Sequence, residues 1–215
     1  MLKKIISSFF CLIILILIAV PCFAFGPSNS KLYNGIDVSR WQGKINFLSV
    51  KKSGVEIVYM KSSEGRSYID PYFEENYTEA KKNNLKVGFY HYVTARTVEV
   101  AKEQAIFFAN VICQKSPDCK LAMDFEDFGD LSIYEINEIS KAFLETLEKE
   151  TKKDALIYSN SYSAKNIFSK ELTKYPLWVA HYNVSRPLDN GKWKSWVRLA
   201  IYKYWNNTWN FWICR

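Results

Sequence analysis

Histidine is scarce in this chain, with two residues in 215, and neither sits beside cysteines at metal-ligand spacing. That argues against a zinc centre, which draws on grouped Cys and His ligands, and no metal or cofactor is expected. No glycine-rich phosphate loop follows the first strand-like segment, which removes the usual nucleotide-binding reading. His91 and His181 have no nucleophile elbow to work with, so both read as hydrogen-bonded structural residues. The chain has neither a basic stripe nor a zinc-finger spacing. Its net charge of +7 is therefore no sign of a nucleic-acid partner; it suits long-range approach to an anionic surface such as a bacterial wall. Wall-binding repeats and a sortase signal are absent as well.

Apolar residues make up 48% of the chain, charged residues 24% and aromatic residues 16%. This is a globular composition with enough apolar mass for one domain core. The aromatic share fits either a Tyr-rich core or flat surfaces that stack on sugar rings. The first residues, Met1-Leu2-Lys3-Lys4, are basic; Ile5 to Val20 is almost wholly apolar; Pro21-Cys22-Phe23-Ala24 follows. This is the layout of a secretory signal peptide cleaved after Ala24; the alternative is an uncleaved signal anchor, since the apolar run is near the lower length limit for a spanning helix. The mature protein is expected to be secreted, extracellular or wall-associated, monomeric and free of the membrane. Of five cysteines, Cys113, Cys119 and Cys214 lie beyond the leader. Export permits a disulfide, and Cys113 and Cys119 bracket a turn-like segment, so either a small closed loop or two thiols fits.

Residues 25–34 read as a polar linker. Beyond it, strand-like and helix-like patterns alternate. Strands are expected at Gly35–Ser39, Val55–Lys61, Val87–Val93, Leu121–Phe125, Ala155–Tyr158 and Leu177–His181. Helices are expected at Phe47–Ser53, Pro71–Asn84, Val98–Cys113 and Ser132–Lys149. The last two carry apolar faces through Val100, Ala101, Ala105, Phe108 and Ile112, and through Ile133, Ile136, Ile139, Phe143 and Leu147. Such alternation predicts a parallel sheet with helices outside, and a closed barrel rather than an open sheet. Barrel sites form where strands end at the C-terminal face; Asp37, Asp124 and Glu126 fall there.

Met123-Asp124-Phe125-Glu126-Asp127-Phe128 is the most informative stretch. Strand alternation puts Asp124 and Glu126 on one face, roughly 7 Å apart along the chain, with Phe125 turned toward the helices. Two acids on an inner strand face are costly unless used or paired. They suit glycosidic cleavage, in which one carboxyl stays protonated for the leaving oxygen and the other stays charged. The alternative is a strand that simply runs out into the acidic loop of Asp127 and Asp130. A chitinase-like barrel would show an Asp-x-x-Asp-x-Asp-x-Glu run, which is absent.

Gly35-Ile36-Asp37-Val38-Ser39-Arg40-Trp41-Gln42-Gly43 and Tyr59-Met60-Lys61-Ser62-Ser63-Glu64-Gly65 resemble the opening of glycoside hydrolase family 25 lysozymes. The likeness continues through Asp70-Pro71-Tyr72-Phe73, Gly88-Phe89-Tyr90-His91-Tyr92, Asp124-Phe125-Glu126, Ile157-Tyr158-Ser159-Asn160 and Leu177-Trp178-Val179-Ala180-His181-Tyr182. The resemblance implies an irregular TIM-like α/β barrel, (β/α)5(β)3, over residues 35–197. It implies a muramidase that cleaves β-1,4 bonds between N-acetylmuramic acid and N-acetylglucosamine in peptidoglycan glycan strands. It gives Glu126 as general acid and Asp124 as the partner carboxylate that assists the substrate's N-acetyl group. Asp37 lines the same pocket; Tyr92, Tyr158 and Trp178 line the sugar groove. Glu64 and Arg66 are loop residues that either shape the groove or stay solvated.

The resemblance stops at Val197. The family continues with a Gly-Tyr-Gln-Tyr type strand and ends on a strand with a Val-Asp pair. Residues 198–215 read otherwise, with aromatics crowded near the end. With freely chosen synonymous codons, dropping the first base at Arg198 restores Gly-Trp-Gln-Tyr-Thr-Asn-Thr-Gly-Thr-Thr-Pro-Gly-Ile-Ser-Gly-Tyr-Val and then an acidic residue. The tail is thus expected to be out of frame, its last strand missing or disordered. The alternative function is then a catalytically impaired peptidoglycan-binding relic.

Overall fold

The computed structural model describes residues 25–28, 33–182, 184 and 187–200, with the backbone alone of 210–214. The leader expected at 1–24 lies outside the described residues. Eight strands form the ring: β1 (Tyr33–Val38), β2 (Ile57–Glu64), β3 (Lys86–Tyr92), β4 (Leu121–Asp124), β5 (Ala155–Asn160), β6 (Leu177–Ala180), β7 (Arg198–Ala200) and β8 (Asn210–Cys214). Five helices alternate with the first six strands: α1 (Phe47–Lys52), α2 (Phe73–Lys82), α3 (Val98–Ile112), α4 (Ile133–Thr151) and α5 (Ser161–Asn166). Neighbours from β1 to β7 pair in parallel in chain order, and β8 lies antiparallel between β7 and β1. The α/β barrel with five strand–helix units and three further strands is the architecture that the sequence resemblance implied.

The helices begin where polar side chains satisfy their first N–H groups. Ser132 and Glu135 make a reciprocal capping box at α4, Thr97 caps α3, and Asn46 and Asn160 cap α1 and α5. Burial follows the periodicity: Ala101, Ala105, Phe108 and Ile112 of α3 pack with Ile136, Ile139, Phe143 and Leu147 of α4 between helices and sheet. Each large side chain so buried contributes about 1.5–3 kcal/mol. Ile133 departs from the expected stripe; it sits at the first helical position and is exposed. Among the described residues no helix is long and apolar enough to cross a membrane. Cys113 and Cys119 are not joined in a disulfide.

Two expectations are corrected. Residues 25–34 are not simply a linker: Phe25 is buried, Gly26–Pro27 pairs in parallel with Ser195–Trp196, and β1 already begins at Tyr33. The burial of one aromatic ring and a short strand pairing outweigh the polar composition around them. The last strand is not missing either. Asn210–Cys214 pairs with β1 from Asp37 to Tyr33 and with β7 from Ala200 to Arg198. A sheet edge binds backbone N–H and C=O groups whatever the side chains, and a tail rich in aromatic residues favours the extended form.

Inside the ring, Tyr59 fills the end away from the strand C-termini. Its hydroxyl donates to the Lys120 carbonyl at 2.6 Å and its ring packs edge-on against Trp178 at 5.1 Å. Gly88 makes this possible, since a Cβ there would lie 2.2 Å from the Tyr59 ring. His91 points outward from β3, fully buried between Phe108 and Phe143, with Ser63 Oγ 2.8 Å from Nδ1. Burial in that apolar layer lowers its pKa from 6.5 to about 3.

Gly88→Ala should cost about 1–3 kcal/mol or more by overpacking the barrel interior, read as a lower denaturation midpoint; an unchanged midpoint would show that Tyr59 can move aside freely. For His91, the unfolded chain takes up a proton near pH 6.5 that the folded chain refuses until about pH 3. This contribution to stability is complete above pH 6.5 and is lost as pH falls toward 3, at about 1.4 kcal/mol per unit. His91→Gln should flatten that slope in urea titrations at several pH values, and identical slopes for both proteins would refute the assignment.

Candidate active site

β4 ends at Asp124, and Glu126 lies just beyond it. Phe125 between them turns to the helix side, buried and edge-on to Phe128 at 5.0 Å. The alternation read from the sequence therefore holds past the last paired residue, and both acids face the barrel mouth. Their settings differ: Asp124 is buried, whereas Glu126 is exposed. Register places Asp124 between Tyr92 on β3 and Tyr158 on β5, and Tyr158 beside Trp178 on β6. One row of paired positions thus carries four of the six residues singled out from the sequence.

A cavity of about 330 Å³ opens here, and Asp37, Asp124, Glu126, Tyr158 and Trp178 line it. Asp37 comes from β1, across the ring from β4. Three further lining residues, Trp41, Tyr90 and Tyr182, had not been singled out. Tyr90 and Tyr182 were legible in principle, since each continues an inner-face alternation: Gly88-Tyr90-Tyr92 and Trp178-Ala180-Tyr182. Trp41 sits in a single 3-10 turn after β1, where no periodicity marks a residue's direction. Tyr92 stands beside the carboxylates without lining the cavity, its ring 5.0 Å from Lys61 Nζ. Trp178 is only 2% exposed and packs edge-on to Tyr158 at 5.0 Å, so it forms the floor, while Trp41, 74% exposed, offers an open face.

Burial pushes the Asp124 carboxyl well above the ordinary carboxylate range, reinforced by the neighbouring Glu126; Lys61 opposes the shift and Asp37 adds to it. Burial thus favours a proton on Asp124, the deeper of the two carboxyls. Physically, the cost of charging a carboxyl is greatest where water is excluded. The surrounding phenols respond to the same field. Tyr92 is pushed up to about 12 by burial and by Asp124 and Glu126; Tyr90 is raised by burial with Asp37 and Asp124 adding, and Tyr158 by burial with Glu126, Tyr182 and Asp124 adding. They remain O–H donors, and Tyr158 and Tyr182 hydroxyls lie 3.3 Å apart.

The cations at this end are mostly engaged. Lys61 Nζ lies 2.6 Å from Glu64 Oε2, and Arg66 pairs with Glu103 at 3.1 Å. Glu64 therefore holds Lys61 beside the carboxylates, and Arg66 braces the outer loop. His181 lies after β6 and accepts from the Leu188 N–H at 3.4 Å, outside the cavity lining. Among the described residues no group of three His, Cys, Asp or Glu side chains is placed to hold a metal ion.

Comparison with known proteins agrees with this arrangement. The family model described as glycosyl hydrolases family 25 matches residues 36–212. The chain is 33% identical over 183 residues to YegX, an uncharacterised protein of Escherichia coli strain K12, covering 82% of this chain and 66% of that protein. It is 37% identical over 153 residues to the autolytic lysozyme of Clostridium acetobutylicum, covering 71% and 46%; the chain thus spans about half to two thirds of these relatives. A solved bacterial lysozyme from Streptomyces coelicolor superposes with a TM-score of 0.74 at 26% identity, covering 86% of this chain and 92% of that one. Barrel order, the paired acids at the end of the fourth strand and the match across 36–212 converge on one assignment: this chain belongs to glycosyl hydrolase family 25.

Proposed function

We propose that the protein is a muramidase that hydrolyses the β-1,4 bond between N-acetylmuramic acid and N-acetylglucosamine in peptidoglycan. The observation that carries this is the buried Asp124 beside the exposed Glu126 at the mouth of an open, aromatic-walled cavity. Such a pair holds one proton between two carboxyls and titrates as a unit. Glu126 is the member that faces solvent, so it delivers the proton to the departing oxygen. Asp124, left charged beneath the sugar, steadies the reacting centre through the substrate's N-acetyl group. Asp37 and the phenols of Tyr90 and Tyr158 hold the sugar's polar groups, and Trp41 supplies a stacking face. We also infer, from the leader-like first 24 residues, that the enzyme acts outside the cell.

The relic reading draws support from the tail. Arg198, its first residue, is buried inside the barrel with its guanidinium 3.7 Å from the Tyr59 ring centre and 5.5 Å from that of Trp178. A charged side chain thus lies beneath the cavity floor. Clearing of a turbid suspension of killed bacterial cells separates enzyme from binder. A protein with the frame restored after Val197 should clear faster and be more soluble than the 215-residue form; equal activity and stability would show that the present tail is a working one.

Glu126→Gln should lower the release of reducing ends from purified peptidoglycan by about a hundredfold to ten-thousandfold, with the fold intact. Asp124→Asn should also cost heavily, and the two losses should not add. Retention of activity within a few-fold by Glu126→Gln would reject it as the acid. The pH profile gives a further check. The shared proton should keep the enzyme active to pH values above the ordinary carboxylate range, with activity lost on the alkaline side as the pair ionises. Residual Asp124→Asn activity should show that limb moved to lower pH, because the neighbouring negative charge is gone; an unmoved limb would uncouple the two groups.

A further inference from the structure

Arg40 stands on the rim of the cavity, and aromatic faces rather than an acid hold its guanidinium. Cζ lies 4.6 Å from the centre of the Trp41 ring and 5.3 Å from that of Tyr68, and Nη1 donates to the Tyr68 hydroxyl at 3.3 Å. The backbone beneath is pinned. The Arg40 N–H donates to Asp70 Oδ2 at 2.8 Å, the Tyr72 N–H to Asp70 Oδ1 at 3.0 Å, and Ser39 and Gln42 cap the turn reciprocally. Around the same mouth Lys61 is paired with Glu64, Arg66 with Glu103 and Arg96 with Asp127. No ion pair to Arg40 occurs among the described residues.

The cavity itself carries Asp37, Asp124 and Glu126, so it repels any anionic group of a substrate. An acid on a bound sugar must lie outside, at the rim. Trp41 lines the cavity while 74% exposed, so a sugar stacked on it brings its substituents to the neighbouring guanidinium. An arginine held by ring faces keeps its planar fork oriented, and that fork matches a carboxylate.

We propose that Arg40, Trp41 and Tyr68 form a substrate subsite for a sugar bearing a carboxylate, with Trp41 under the ring and Arg40 on the acid. This rests on the muramidase reading and adds to it the recognition of charge. Muramic acid offers the carboxylate in two ways: from its own lactyl group where that is free, or from the stem peptide attached there.

Binding separates these cases without turnover. Glu126→Gln and Glu126→Gln/Arg40→Gln proteins are titrated onto peptidoglycan freed of phosphate polymers by hydrofluoric acid. Three preparations are used: one with intact stems, one stripped by an amidase so that only lactyl carboxylates are free, and one with its carboxylates amidated by carbodiimide. Loss of Arg40 should weaken binding about fivefold on a charged preparation, less at high salt, and not on the amidated one. Loss confined to stem-bearing material assigns the stem peptide; loss on stripped glycan assigns the lactyl group. Equal affinity of both proteins for all three preparations, or an equal loss on the amidated one, overturns the proposal. In the cleaving protein, Arg40→Gln should raise KM more than it lowers kcat. A wild-type chain that binds with this charge dependence yet releases no reducing ends would sink the muramidase reading and leave the subsite standing.

Discussion

The structure depends on β1 being paired on both sides. It bonds in parallel to β2 and antiparallel to β8, and without both neighbours the sheet would open. Closure gives the sheet an inside, and that inside fixes everything about the site. Positions of one parity along each strand meet across a narrow space that side chains must fill. Tyr59, Leu156 and Ala122 fill it at depth. Near the strand ends the filling thins, and the same parity delivers Asp37, Asp124, Tyr158 and Trp178 to a common cavity. β1 contributes twice, through Asp37 and through the turn that carries Arg40 and Trp41.

The electrostatics follow from this geometry. A carboxyl at the end of a buried strand is largely cut off from water, so Asp124 is pushed toward its protonated form, while Glu126, two residues on, is exposed. The chain makes two carboxyl groups unequal chiefly by depth. Lys61, held by Glu64, tempers that bias from the neighbouring inner face.

Much of this was legible in the sequence. Helices α3 and α4 announced themselves by apolar spacing, and Asp124-Phe125-Glu126 announced its facing by alternation. The five strand–helix units came from the ordered likeness, since α5 is too short for periodicity to mark. Trp41 escaped because a single 3-10 turn has no repeating face. The depth difference between Asp124 and Glu126 was invisible because it depends on where β4 ceases to pair, which belongs to its neighbours. The docking of Phe25 escaped for the same reason: its partner strand is near residue 195.

The antiparallel placement of β8 has a wider consequence. A closing strand is recruited through main-chain groups that every residue but proline presents, so pairing at the seam constrains side-chain identity less than burial does on the inner strands. In a gene of this architecture, damage confined to the final segment erases whatever side chains that segment owed to the groove and leaves the architecture standing.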